Sequence, residues 1–73
     1  MTALHSKEYH QFLKRLKMAR LEAGLTQREV AEALRLPQSF MSKSESGERR
    51  IDIIELAAIA RLYKKPLSFF VKQ

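Results

Sequence analysis

Gln38, Ser39, Ser42 and Lys43 are the side chains in this sequence best suited to reading a partner through hydrogen bonds. Each carries donors, acceptors or both, and helical residues three and four apart share a face. Such a face suits the major groove of B-DNA, which admits an α-helix and presents each base pair as its own donor and acceptor pattern. The plainer reading is a solvated helix face with no ligand. Other chemistry has little support. His5 and His10 have no third ligand beside them, as a zinc site would require, and both are expected in solvent. Glu29 and Glu32 share helical spacing, but no nucleophile accompanies them. Ser42, Ser44 and Ser46 alternate without a nucleophile elbow or an activating base. The chain has no Cys and no Gly-rich phosphate loop. The expectation is a protein that is not an enzyme and holds neither metal nor cofactor.

The elements that must position the polar face read as helices. Phe12, Leu13, Leu16, Ala19 and Ala23 recur at spacings of three and four, and Gly24 follows as a C-terminal cap, so a first helix is expected over 8–23. Thr26 and Glu29 form a capping box ahead of Val30, Ala31 and Leu34, giving a second helix over 26–34. Pro37 marks the start of a third, over 37–45, in which Met41 is the obvious inward anchor. Asp52 and Glu55 open a fourth over 52–63, with an apolar stripe of Ile54, Leu56, Ala57, Ile59, Ala60 and Tyr63. A short fifth helix is expected over 66–71, and residues 1–7 are expected to be disordered. The fold class is all-α: one five-helix domain over 1–73, with the second and third helices joined by a tight turn.

The whole chain agrees with that scale. Its 73 residues allow a single small domain, and a hydrophobic fraction of 45% is enough for a modest core. The longest apolar run, Leu56 to Ala60, is far short of the ~20 residues of a membrane span. The first residues lack an apolar stretch of signal-peptide length, so a cytoplasmic location is expected. A net charge of +6 favours anionic partners such as nucleic acid without choosing among them. That charge is spread out: residues 1–25 carry +3, residues 26–50 carry +1 and residues 51–73 carry +2. Glu29, Glu32 and Glu48 must therefore face away from phosphate if the third helix meets DNA.

Thr26, Gln27, Val30 and Ala31, then Ser42, Lys43, Glu45 and Gly47, then Ile59, Ala60 and Tyr63, together resemble the Xre/Cro family of lambda-repressor-like helix-turn-helix proteins. The resemblance covers about residues 12–71 and implies a compact five-helix DNA-binding domain. It implies that Gln27 binds a phosphate and braces the recognition helix, and that Gln38, Ser39 and Lys43 read base edges, with Ser42 reaching base or phosphate. Phe40 would face the DNA, touching a thymine methyl or a sugar, unless it packs at the core rim. Arg20 and Glu45 would form an ion pair between the first and third helices. Arg28, Arg49 and Arg50 would approach the phosphate backbone. The sequence departs from the family at Arg35 and Lys64, where Gly is frequent, and at Ser44, where an apolar residue is usual.

Phe69, Phe70 and Val71 cannot all face one core, and the resemblance makes them an expected homodimer interface. A two-fold dimer would set its recognition helices ~34 Å apart on a pseudo-palindromic operator. The function implied is a sequence-specific regulator of transcription that binds double-stranded DNA, repressor-like and homodimeric, with no membrane role and no small-molecule ligand. The competing reading is an antitoxin-like or adaptor protein whose main partner is another polypeptide.

Overall fold

Three of the five helices begin at a side chain that accepts an otherwise unpaired amide. The computed structural model describes residues 6–71. Helix α1 is Lys7–Glu22, and the Ser6 hydroxyl accepts from the Tyr9 amide at its start. Helix α2, Gln27–Leu34, opens on the complete capping box of Thr26 and Glu29. Helix α3 is Phe40–Glu45 and α4 is Ile53–Tyr63, the latter opened by a second complete box of Asp52 and Glu55. Helix α5 is the single turn Leu67–Phe70 after Pro66.

Helices α1, α2 and α4 end alike, by reversal through a left-handed residue. Gly24 has φ 73°, and beside it the Leu25 amide donates to the Arg20 carbonyl. Arg35 and Lys64 take the same conformation at φ 56° and 58°, and the amides of Leu36 and Lys65 close back onto Ala31 and Ala60. Both residues thus accept the left-handed geometry in place of Gly, at a cost of about 1 kcal/mol each.

Most element bounds differ from the sequence expectation by a single residue, but two segments differ more. Helix α3 starts at Phe40, because Pro37 opens a turn in which the Phe40 amide donates to the Pro37 carbonyl. Gln38 and Ser39 therefore lead into the helix from that turn. Ser6 and Lys7, expected to be disordered, instead cap and begin α1; the rest of that segment, His5 included, lies outside the described residues.

The core gathers Phe12, Leu16 and Ala19 from α1, Val30 from α2, Phe40 and Met41 from α3, Leu56, Ile59, Ala60 and Tyr63 from α4, and Phe70 from α5. Helix α3 is anchored by more than Met41, since Phe40 and Ser44 are also buried. Ile54, by contrast, is 75% exposed, so the apolar stripe of α4 runs through Leu56, Ile59, Ala60 and Tyr63 without it. No helix among the described residues is long and apolar enough to cross a membrane.

Candidate nucleic-acid interface

Burying one side of α3 leaves its opposite side to solvent, and the candidate readers lie there. Gln38, Ser39, Ser42 and Lys43 are all exposed, whereas Phe40, Met41 and Ser44 face inward. The Ser42 hydroxyl donates to the Ser39 carbonyl at 3.1 Å, which holds its oxygen lone pairs outward. Gln38 and Arg28 line a shallow cavity of about 170 Å³ together with Ala31, Glu32 and Leu36, so the start of the reading segment adjoins the outer face of α2.

The angle of α3 is fixed from behind by a buried polar network. Arg20 Nε donates to Glu45 Oε2 at 2.7 Å and Arg20 Nη2 to Glu45 Oε1 at 3.2 Å, a forked pair whose side chains are only 9% and 6% exposed. Arg20 Nη1 donates to the Leu25 carbonyl, and Gln27 Nε2 donates to Glu45 Oε1 at 3.0 Å. The end of α1, the start of α2 and the end of α3 thus share one carboxylate. Hydrogen bonding to Glu45 raises the guanidinium pKa of Arg20 above its ordinary value. Gln27 is half-buried, with its amide nitrogen on Glu45.

Two buried hydroxyls, Ser44 Oγ and Tyr63 OH, have no hydrogen-bond partner among the described residues. Burial pushes the Tyr63 phenol well above its usual pKa, with the nearby Glu45 charge adding to the effect. Ser44 therefore occupies an apolar slot without an apolar side chain.

Phe40 is the clearest correction. It is 3% exposed, so its ring belongs to the core and is not presented to a sugar or a thymine methyl. Its ring is covered by the Arg49 guanidinium, with Cζ 4.6 Å from the ring centroid. Arg49 also donates to both Glu55 oxygens, at 3.0 and 2.9 Å, and to the Arg50 carbonyl at 2.7 Å. The hydrogen bond from Arg49 holds the Glu55 carboxyl below the usual carboxylate range, and Glu55 in turn raises the Arg49 pKa. Arg50 is exposed beside it, and Arg28 is exposed and within 3.5 Å of Glu32. The sequence marks Glu55 only as a capping residue; its second partner lies across a loop, where helical spacing carries no information.

The acidic residues near the reading segment are partly neutralised. Glu29 is occupied with the Thr26 amide at the start of α2, and Glu32 faces Arg28.

The C-terminal trio separates. Phe70 is 1% exposed and completes the core, which removes it from any interface. Phe69 is half-buried, edge-on to Phe70 and beneath the Lys65 ammonium. Val71 is 55% exposed and lines an apolar groove of about 330 Å³ with Tyr9, Phe12, Ile51, Ile53 and Leu56. Among the described residues no three His, Asp or Glu side chains come together as a metal site, and His10 is exposed.

Residues 16–70 match the model of the helix-turn-helix family, and no curated protein matches the chain. The match spans most of the chain and the whole of α2 and α3. The protein belongs to the Xre/lambda-repressor-like helix-turn-helix family of DNA-binding regulators.

Proposed function

We propose that this helix-turn-helix protein is a sequence-specific regulator of transcription that binds double-stranded DNA as a homodimer and acts in the manner of a repressor. The observation that carries this reading is the division of α3. Phe40, Met41 and Ser44 hold it in the core, and Arg20, Glu45 and Gln27 brace its far end. Ser42 and Lys43 on the helix, and Gln38 and Ser39 in the turn that leads into it, are exposed.

In this reading Gln38, Ser39, Ser42 and Lys43 contact base edges, and Lys43 donates to acceptors such as guanine O6 and N7. Gln27, Arg28 and Arg50 meet phosphates and set the register. Gln27 then has two duties, since the amide that would reach a phosphate also holds Glu45.

The homodimer rests on Val71 and the half-buried Phe69, with Ile53 beside Val71 across the apolar groove. The domain measures 33 × 23 × 20 Å. Only contact along the 33 Å axis would set the centres of two copies near the ~34 Å that adjacent half-sites on one face of DNA require.

Selection from a pool of random duplexes tests the function directly. An enriched, two-fold symmetric motif is expected, with affinity falling steeply as salt rises. Lys43→Ala should relax preference at one base position, and Gln27→Ala should weaken binding to every sequence alike. The apolar groove also favours a second reading, an antitoxin-like or adaptor protein that docks a polypeptide there. A random pool that yields no motif at moderate salt would decide for that alternative.

A further inference from the structure

We propose that Arg49 is a positioning residue that clamps the start of the recognition helix to α4, and that it does not neutralise a DNA phosphate. The inference rests on the DNA-reading role of α3 and assigns a specific task to a residue whose type and loop position suggest phosphate contact.

Arg49 makes four attachments, and they belong to three parts of the fold. Its backbone amide donates to the Lys43 carbonyl at 3.1 Å, at the end of α3. Its guanidinium lies over the ring of Phe40, the first residue of α3. Nη1 and Nη2 fork onto the two oxygens of Glu55, in the first turn of α4. Nη1 also donates to the Arg50 carbonyl within the loop. Glu55 is itself held, because its Oε1 accepts from the Asp52 amide while its own amide donates to Asp52 Oδ1. The guanidinium is thus fastened to a fixed carboxylate on one edge and to an aromatic face on the other side.

Three consequences follow for DNA recognition. The Glu55 charge balances that of Arg49 locally, so the pair offers no net positive charge to a phosphate. The Phe40 ring, one residue after Ser39 and two after Gln38, is kept in place by Arg49 from the solvent side. Arg49 and Arg50 are both exposed, but Arg49 is engaged with Glu55. Arg50, whose carbonyl Arg49 holds, is thus the cation of this loop without a carboxylate partner among the described residues. Only an arginine supplies both the fork and the stack, since a lysine ammonium is a point charge without a planar face.

The test measures duplex affinity against salt for the wild-type protein and for Arg49→Gln, Arg49→Lys, Glu55→Gln and Arg50→Ala. Glutamine at 55 preserves the capping box while removing the carboxylate. Loss of the clamp should lower affinity for the preferred site about fivefold to tenfold in Arg49→Gln, Arg49→Lys and Glu55→Gln alike. The salt slope should stay at the wild-type value in Arg49→Gln, whereas Arg50→Ala should reduce it by about 0.9. The Glu55→Gln arm is the sharpest, because removing a negative charge near DNA would otherwise strengthen binding. A slope reduced by about 0.9 in Arg49→Gln, together with wild-type affinity in Arg49→Lys, would overturn the clamp and return Arg49 to the phosphates. A second measurement needs no DNA: the Phe40 ring proton resonances should move in Arg49→Lys and in Glu55→Gln. Unchanged ring resonances in both folded variants would refute the clamp even if the wild-type protein binds DNA as proposed. Absence of duplex binding by the wild-type protein would count against the function itself.

Discussion

At the scale of single residues, the recognition helix is braced by groups that are largely buried. Glu45 takes hydrogen bonds from Arg20 and Gln27 in a setting where both members of the ion pair are nearly inaccessible. Such a pair adds little net stability over an apolar replacement, but losing one member leaves the other charge buried and unmatched. Arg20→Met should therefore lower the unfolding free energy by about 3 kcal/mol in urea titration, and Glu45→Leu on that background should recover much of the loss. Ser44 presents the opposite case. Its hydroxyl is fully buried without a partner, so Ser44→Ala removes a desolvation cost without opening a cavity. A gain of about 1 kcal/mol is expected in the same titration, and a loss would mean that the hydroxyl is satisfied in solution. That Gln38, Ser39, Ser42 and Lys43 are exposed was legible from residue type, because hydrogen-bonding side chains gain most from staying in water. The Arg20–Glu45 pair was legible only through resemblance to the family, since its members stand 25 positions apart. The sequence leaves Phe40 open between the DNA side and the core rim, because α3 has six residues, roughly one and a half turns, too few for a period to say which side faces inward; its burial decides for the core.

At the scale of elements, the helix ends at Leu34, Glu45 and Tyr63 fall where the sequence puts them, and the start of α3 alone lies more than one residue away. Thr26 with Glu29 and Asp52 with Glu55 act locally, through groups three residues apart, and local chemistry survives folding unchanged. The start of α3 depended on something that is not local. Pro37 suits a first helical turn as well as it suits the reverse turn it occupies here, and packing of Phe40 against the rest of the core accompanies the second choice. The ends of α2 and α4 lacked a Gly signal because Arg35 and Lys64 take the left-handed conformation themselves. Arg35→Gly and Lys64→Gly should each stabilise the fold by about 0.5 kcal/mol, the relief of Cβ strain exceeding the added freedom of the unfolded chain. Thermal unfolding should register this as a rise of about 2–4 °C apiece. The loop between α3 and α4 has its own pH signature. Glu55 titrates below its ordinary value because Arg49, and then the Asp52 amide, bind its charged form. Its contribution is present above the ordinary carboxylate range and is lost as pH falls through the depressed value. The acid limb of a stability profile should accordingly flatten in Glu55→Gln, and an unaltered limb would show that the carboxylate gains nothing from its partners.

At the scale of the whole molecule, charge and apolar surface divide the work differently from what composition suggests. The surplus of +6 is spread along the chain, and two of its cations are engaged with carboxylates, Arg20 with Glu45 inside the fold and Arg49 with Glu55 at its surface. In the proposed function, attraction to DNA comes from the remainder, and selectivity would fall to a short helix that carries little net charge. The apolar C-terminus divides in the same way. Phe70 fills the core together with α1 and α4, so removing it attacks the domain itself. Phe70→Ala should cost about 3–5 kcal/mol at any protein concentration. Val71 and Ile53 contribute to no such core, being 55% and 63% exposed along the same groove. If that groove joins two copies, Ile53→Asp with Val71→Asp should shift sedimentation from dimer to monomer while helical content is retained. Binding to a two-half-site duplex should then fall far more than binding to a single half-site, since a dimer engages its second site at high effective concentration. The two measurements separate the alternatives for this surface. A wild-type protein that sediments as a monomer, and binds one half-site as well as two, would leave the groove to a different polypeptide and remove the basis for a symmetric operator.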